Sequence, residues 1–285
     1  MKVWVAGAGG QVGQVLLHVF RERGVDCFGT SHAEVNIADQ GAVFSAMKEA
    51  SHVVNAAGYT QVDPAELQRE EAYLANVKGP EVLAKAAKEM GRHLVHISTD
   101  YVFDGYLGRS YVEEDEARPL NWYGQTKREG EIRALQNYPE SCIVRVSWVF
   151  GGGGGRHYAS SILRAVQEKK ELRFVDDQKG SPTCAWDFAE ALLHLLSKSG
   201  IHHYCNKGCI SKYEFACAVL EKATEKGFPV VCEKIVPIVS SEFFSLAKRP
   251  LFTPFNTQKV EKILSIRPWQ EGLEDFFSRQ AVHAL

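Results

Sequence analysis

Apolar and polar positions in the first half of the chain predict strands and helices in regular alternation. The first apolar run, Val3–Ala6, ends at a cluster of glycines, and apolar residues then recur at helical spacing through Phe20. The same alternation is repeated about five times before residue 150. Further strands are predicted at Val25–Thr30, His52–Asn55, His93–Ser98 and Cys142–Ser147, and further helices at Ala38–Ala50, Glu66–Met90 and Trp122–Leu135.

Continuous apolar runs that alternate with helices are typical of a parallel sheet covered on both faces and joined by right-handed crossovers. We therefore predict an α/β fold with a doubly wound parallel sheet. Beyond residue 150 the pattern is looser, with helices predicted at Tyr158–Lys169, Trp186–Ser197 and Lys212–Lys226. We divide the chain into a doubly wound domain, residues 1–150, and a smaller C-terminal subdomain, residues 151–285, from which some segments return to the first domain.

Two segments of the second part have two interpretations each. The run Gly151–Gly155 fits either a mobile connection or backbone that approaches a ligand closely. The apolar face of the Lys212–Ala223 helix fits either a partner or the core, and we favour the core.

Composition and charge exclude several classes of protein. The chain is 45% hydrophobic and 24% charged, with a net charge of -2, which argues against disordered and fibrous proteins and against binding of nucleic acid or anionic lipid. No apolar run approaches the roughly 18 to 20 residues of a membrane span, and the N-terminal apolar run is too short for a signal peptide. We predict a cytoplasmic protein with a small-molecule partner, and reduced thiols because the seven cysteines are scattered.

One cluster deserves a test as a metal site. His202 and His203 precede Cys205, with Cys209 four residues further on, and imidazole with thiolate suits zinc. The spacing lacks a second cysteine pair and falls on a predicted short strand, Ile201–Cys205. We interpret the cluster as a strand edge and predict no metal.

The glycine turn after the first strand is the first candidate for chemistry. Glycine lets a backbone turn sharply and lets a pyrophosphate approach the free N–H groups of the helix that follows. Because the turn lies between a strand and a helix, it predicts a dinucleotide site of the Rossmann type. The predicted cofactor-binding residues in this turn are Gly7, Gly10, Gln11, Val12 and Gly13.

The end of the second strand bears on the choice of cofactor. An acidic residue there would bind the ribose hydroxyls of NAD, but Ser31 and His32 follow Thr30. Without a carboxylate to repel a 2′-phosphate, NADPH is favoured, while the lack of an arginine leaves NADH possible.

Three residues predict a proton-transfer site. Tyr123 and Lys127 are four residues apart at a helix start, so they project from one face, and Thr99 follows the His93–Ser98 strand at its carboxyl end. A phenol has a reference pKa of about 10, and we expect the Lys127 cation to stabilise its phenolate. The predicted catalytic residues are Thr99, Tyr123 and Lys127.

Together with the glycine turn, these residues resemble the extended short-chain dehydrogenase/reductase superfamily. Within it, four further segments resemble the dTDP-4-dehydrorhamnose reductase family, and Arg249-Pro250 with Asn256-Thr257 resemble that family's C-terminal positions. These four segments are Asn55–Asp63, Ser98–Gly105, Ser147–Phe150 and Asp177–Thr183. The resemblance therefore runs from residue 1 to about residue 257.

The resemblance implies a Rossmann-type dinucleotide-binding domain, a substrate-binding subdomain, and NAD(P)H-dependent reduction of the C4 ketone of dTDP-4-dehydro-L-rhamnose to dTDP-L-rhamnose. It places Tyr123 and Lys127 also against the cofactor, and Thr99 against the sugar nucleotide. By the same resemblance Ala56 and Ala57 line the cofactor, Asn36 and Ile37 lie near the adenine, and Thr60, Val62 and Trp148 approach the substrate. Trp148 also fits a core residue, and Thr60 and Val62 fit plain loop residues.

Other interpretations stay open at this point. We interpret Asp63 and Glu66 as a helix cap rather than as site groups. Asn36 and His157-Tyr158 depart from the family pattern, which puts the identity of the sugar in doubt. The alternatives are another nucleotide-sugar reductase or epimerase, and a non-catalytic regulatory subunit resembling that of methionine adenosyltransferase. The sequence does not specify an oligomeric state.

Overall fold

A computed structural model describes residues 1–152 and 157–282. Its strands are β1 Lys2–Ala6, β2 Asp26–Thr30, β3 His52–Asn55, β4 His93–Thr99, β5 Cys142–Val146, β6 Val149–Phe150, β7 Glu171–Val175, β8 Lys179–Gly180, β9 Thr183–Cys184, β10 Gly200–Tyr204, β11 Ile210–Ser211 and β12 Lys234–Ile238. Its α-helices are α1 Gln11–Glu22, α2 Gln40–Met47, α3 Val62–Ala65, α4 Arg69–Tyr73, α5 Gly79–Met90, α6 Trp122–Asn137, α7 Tyr158–Glu168, α8 Ala185–Leu195, α9 Lys212–Glu225, α10 Gln258–Glu261 and α11 Trp269–Val282. The predicted glycine run 151–155 lies partly outside the described residues.

Six strands form the central sheet in the order β10-β5-β4-β3-β1-β2, and all its neighbouring pairs are parallel. This arrangement confirms the predicted doubly wound α/β fold. The strand order changes direction between β1 and β3, because β2 lies on one side of β1 and β3 on the other. In such sheets the ligand crevice lies beyond the carboxyl ends of the strands at this point.

Alternate residues of β1 explain why it reads as a continuous apolar run. Val3 and Val5 pack in one core with α1 and α8, while Trp4 and Ala6 pack in a second core with α2 and α5. All four side chains are fully buried. The sheet is therefore covered on both faces, as a parallel sheet requires.

A second, smaller unit contains β7 and β12, which pair in parallel, together with α7, α9 and α11. Its core includes Phe150, Phe215, Phe276 and Phe277. Phe215 and Val219 are buried there, so the apolar face of α9 belongs to the core. Between these elements α8 packs on α1 and β10 joins the central sheet. Among the described residues, no helix is long and apolar enough to cross a membrane.

The single helix predicted over Glu66–Met90 is wrong. The structure has α4, a π-helical turn at Leu74–Lys78, and then α5. Asn76 in this turn is buried, and its side chain accepts from the Tyr59 N–H at 2.8 Å and donates to the Thr126 hydroxyl at 3.1 Å. Leu67 and Leu74 are exposed, whereas Val82 and Leu83 of α5 are buried.

Candidate active site

A cavity of about 570 Å³ lies beyond the carboxyl ends of the central strands and reaches the smaller unit. It contains most of the residues predicted from the sequence. The predicted residues that line it are Gly10, Gln11, Val12, Ala56, Ala57, Thr60, Val62, Thr99, Tyr123, Lys127 and Trp148. Sequence reasoning missed the lining residues Asp100, Tyr101, His157, Tyr158 and Lys212 as members of one site.

The glycine turn is packed too closely for side chains. Gly7 has φ of 85°, and a Cβ atom there would lie 2.5 Å from the Ala57 nitrogen. A Cβ atom on Gly13 would lie 2.3 Å from the Gly7 carbonyl oxygen. Gly10 precedes α1, and no side chain among the described residues caps the first N–H groups of this helix. The turn therefore offers bare N–H groups and open backbone of the kind that fits a pyrophosphate.

Two residues predicted near the adenine lie outside the cavity lining. Ile37 is buried in the core, where a Cβ atom on Gly79 would lie 2.3 Å from its Cδ1 atom. Asn36 is exposed, and its side chain accepts from the Ala38 N–H.

A carboxylate does lie at the end of β2, contrary to the expectation from Ser31 and His32. Glu34 Oε2 accepts from both the N–H and the hydroxyl of Ser31, each at 2.7 Å. These hydrogen bonds hold the pKa of Glu34 below its ordinary value, so the group is charged at neutral pH. The signal in the sequence was the serine followed three residues later by glutamate, a spacing that lets the side chain fold back.

Thr99, Tyr123 and Lys127 meet in the cavity. Thr99 is the last residue of β4, and its hydroxyl oxygen accepts from the Tyr101 N–H at 3.2 Å. Tyr123 and Lys127 lie one turn apart in α6, which begins after Asn121, whose side chain caps it by accepting from the Gly124 N–H. Lys127 is only 6% exposed, and its Nζ donates to the Ile97 carbonyl oxygen at 2.6 Å.

The protonation of this trio differs from the sequence expectation. Burial raises the pKa of Tyr123 to about 12, with a hydrogen bond from Thr99 acting in the opposite direction. Burial also lowers the pKa of Lys127 to about 8, and Glu131 opposes this shift. The expectation that Lys127 lowers the pKa of Tyr123 is therefore wrong for the free protein, because the ammonium is directed at a backbone carbonyl. Tyr123 is a protonated acid at neutral pH.

Trp148 is half-buried and lines the cavity rather than the core. Its φ of 47° makes it the only residue besides glycine with positive φ in the described ranges 1–152 and 157–282. Gly180 is closely packed against the indole, since a Cβ atom there would lie 2.8 Å from Trp148 Cε2. A non-glycine residue in this conformation carries strain that its packing must offset.

Asp63 and Glu66 do not cap their own helix, so that interpretation was wrong. Asp63 forms a two-pronged ion pair with Arg249, at 2.7 Å and 3.1 Å, and accepts from the Ala247 N–H at 2.9 Å. Chiefly through Arg249, the pKa of Asp63 is lowered to about 2. Glu66 instead accepts from the N–H of Trp122 and so caps α6.

The histidine and cysteine cluster is dispersed. His203 and Cys205 are buried, whereas Cys209 is exposed, and all seven cysteines are free. In the part of the chain that the structure describes, no three His, Cys, Asp or Glu side chains form a group suited to a metal ion.

Comparison with known proteins decides the family. The family model described as RmlD substrate binding domain matches residues 1–282. The dTDP-4-dehydrorhamnose reductase of Aggregatibacter actinomycetemcomitans is 34% identical over 96% of this chain and 97% of its own length. The chain belongs to the dTDP-4-dehydrorhamnose reductase family. The resemblance found in the sequence motifs is thereby confirmed.

Two further similarities extend this family assignment. The Spore coat polysaccharide biosynthesis protein SpsK of Bacillus subtilis is 36% identical over 98% of both chains. The crystal structure of the dTDP-4-dehydrorhamnose reductase of Bacillus anthracis in complex with NADP is 32% identical, with a TM-score of 0.91 over 98% of this chain and 99% of that one. Both units of the fold are therefore common to the family.

Proposed function

We propose that this protein reduces the C4 ketone of dTDP-4-dehydro-L-rhamnose to give dTDP-L-rhamnose. The main support for this proposal is that Thr99, Tyr123 and Lys127 line one cavity together with the glycine turn and Trp148. The chain is an NAD(P)H-dependent oxidoreductase, with NADPH as its cofactor and NADH also possible. The partner is a nucleotide sugar, and a cytoplasmic location is part of the proposal.

The residues of the glycine turn and of Ala56–Ala57 would hold the dinucleotide, which supplies the hydride when it is bound. Tyr123 donates its proton to the ketone oxygen, because its raised pKa keeps it protonated at neutral pH. The Thr99 hydroxyl holds the same oxygen in place. Lys127 binds the nicotinamide ribose with donors that its hydrogen bond to Ile97 leaves free.

The sugar nucleotide would bind between the smaller unit and the edge of the cavity that Thr60 and Val62 line. We propose the domain boundary near residue 150, with α8 and β10 belonging to the dinucleotide-binding domain. Asn36 and Ile37 would act near the adenine only through the loop that contains them. The presence of all three catalytic residues in one cavity supports an enzyme over a non-catalytic regulatory subunit.

The test is a turnover assay with dTDP-4-dehydrorhamnose and either NADPH or NADH, monitored by cofactor absorbance and by mass analysis of the nucleotide sugar. We expect one cofactor oxidised for each ketone reduced. An epimerase would change the sugar without net oxidation of cofactor. If neither cofactor is oxidised and the protein co-purifies with a methionine adenosyltransferase, the regulatory alternative replaces this proposal.

A further inference from the structure

Lys212 places an ammonium group in the cavity from the side of the smaller unit. It is the first residue of α9, and its Nζ lies 4.6 Å from the centre of the Trp148 ring and 4.9 Å from the centre of the Tyr158 ring. Both rings also line the cavity. Within residues 1–152 and 157–282 this ammonium donates no hydrogen bond and has no carboxylate at ion-pair distance.

The other charged groups that line the cavity already have hydrogen-bond partners. Lys127 donates to the Ile97 carbonyl oxygen. Asp100 accepts from Thr253 at 2.7 Å and from Thr99 at 3.3 Å. Of the two lysines among the described lining residues, Lys212 is therefore the one whose donors are all free for a ligand.

Lys212 is half-buried, and the ring faces are the contacts that the structure gives its ammonium. The rings attract the cation but offer no lone pair to its N–H groups, which are left available to a ligand. Burial accordingly lowers the pKa of Lys212 to about 8, with Arg249 acting in the same direction and Asp100 opposing it. An anionic ligand in the cavity would supply the missing acceptors and stabilise the charged form.

We propose that Lys212 binds the diphosphate group of the nucleotide-sugar substrate. This inference rests on the proposed function and adds to it a residue that determines affinity for the nucleotide part. The diphosphate is the charged portion of that substrate, and the bare N–H groups of the glycine turn are assigned to the phosphates of the dinucleotide. Trp148 and Tyr158 position the ammonium, so Lys212 contributes to binding rather than to proton transfer.

The experiment compares Lys212→Met and Lys212→Gln, which remove the charge, with Lys212→Arg, which retains it. Lys234→Met is the matched control, because it removes an exposed lysine from the smaller unit. Binding of dTDP and of thymidine is measured by calorimetry with NADP present. We expect dTDP to bind about 10- to 100-fold more weakly to the two neutral variants, the range for losing a hydrogen bond to a charged group.

Thymidine binding should be unchanged in every variant, since it lacks the diphosphate. In turnover, the neutral variants should raise KM for the nucleotide sugar with kcat nearly unchanged, and Lys212→Arg should retain most of the dTDP affinity. Undiminished dTDP affinity in both neutral variants would overturn the inference. So would a fall in kcat without a change in KM, which would place Lys212 at the reacting ketone.

These results separate the inference from the proposed function. If the wild type turns over dTDP-4-dehydrorhamnose and the neutral variants bind dTDP normally, only the inference fails. If the wild type does not reduce that sugar but the neutral variants lose dTDP affinity, the proposed function fails and the diphosphate site stands. A wild type that binds thymidine and dTDP equally well overturns the inference directly.

Discussion

The two sides of the cavity are built in different ways. On the cofactor side, which we define as the glycine turn, Ala56–Ala57 and the Thr99, Tyr123 and Lys127 trio, the backbone of the sheet fixes the groups. Asn55 at the end of β3 accepts from the Ala57 N–H at 3.1 Å, and Lys127 donates to the Ile97 carbonyl in β4. On the substrate side, defined as Trp148, His157, Tyr158 and Lys212, the groups stand on the connection between β5 and β6 and at the starts of α7 and α9.

This difference matches the roles that we propose for the two sides. Proton transfer requires groups fixed to within a fraction of an ångström, which rigid strand ends and buried helices provide. Recognition of a nucleotide sugar requires a surface whose shape and charge complement the ligand, and a half-buried lysine against two aromatic rings is such a surface. Substitutions on the cofactor side should therefore reduce kcat or NADPH affinity, and those on the substrate side should change KM for the sugar.

The largest effect is expected for Tyr123→Phe, which removes the proton donor and leaves the ring in place. We expect kcat to fall by about 10²- to 10⁴-fold, the usual contribution of a positioned general acid, with NADPH affinity little changed. Stopped-flow measurement of NADPH absorbance tests this. Tyr106→Phe, at a tyrosine that is 59% exposed, is the control. Turnover of the Tyr123 variant near that of the control would contradict the assignment.

The next effect distinguishes two glycines of the same turn. A Cβ atom on Gly13 would lie 2.3 Å from a backbone oxygen, whereas one on Gly9 would lie 3.7 Å from the Ser31 Cβ atom, an ordinary contact. We expect Gly13→Ala to lower the free energy of unfolding by about 1–3 kcal/mol. It should also weaken NADPH binding by about tenfold or more. Gly9→Ala should change neither quantity. Equal behaviour of the two variants in fluorescence titration and urea unfolding would show that the turn does not hold the cofactor.

The third effect concerns the segment that contains Thr60 and Val62, which Asp63→Asn should release from Arg249. The Arg249 and Asp63 side chains are 17% and 34% exposed, so solvent screens the pair only in part. We expect a loss of about 1 kcal/mol in the free energy of unfolding, the upper end for exposed pairs, and a higher KM for the sugar with unchanged NADPH affinity. The pKa of Asp63 in the folded protein, about 2, lies below its ordinary 3.8. The stabilisation is therefore present above pH 4 and is lost as the pH falls toward 2.

Urea unfolding of the wild type and of Asp63→Asn from pH 7 to pH 2 measures this difference. We expect this difference to be constant between pH 7 and pH 5, where Asp63 is ionised in both the folded and the unfolded state. It should narrow below pH 4, as the pH passes through the unfolded and then the folded pKa. Glu89→Gln, at an exposed glutamate of α5, makes the same change in net charge and is the control. If the difference in free energy of unfolding between the two proteins does not depend on pH, the ion pair is not its cause.

The smallest effect concerns the choice between NADPH and NADH. The Glu34 carboxylate, held by Ser31 at the end of β2, lies at the strand end where this fold binds the adenosine ribose. We expect Glu34→Gln to raise the ratio of kcat/KM for NADPH over NADH about two- to fivefold at low salt, and less at high salt because the carboxylate is exposed. Glu22→Gln is the control. An unchanged ratio would place Glu34 away from the 2′-phosphate.

Much of the cofactor side could be predicted from the sequence because its signals are local. The glycines occur within seven residues, Tyr123 and Lys127 within one helical turn, and Thr99 ends an apolar strand. In a parallel sheet all carboxyl ends meet at one edge, so placing Thr99 on a strand also placed it beside the glycine turn. The motifs of the substrate side were recognisable as a family pattern, but their contacts were not.

Only the tertiary structure decided the rest. Asp63 and Arg249 are 186 positions apart, and nothing near either residue indicates the other. Lys212 reads as an ordinary exposed residue at a helix start, and it became a cavity residue because α9 packs beside Trp148 and Tyr158. Periodicity and glycine spacing report how a segment folds against its immediate neighbours. The protonation of Tyr123 and the free ammonium of Lys212 depend instead on burial by distant segments, which only the assembled fold defines.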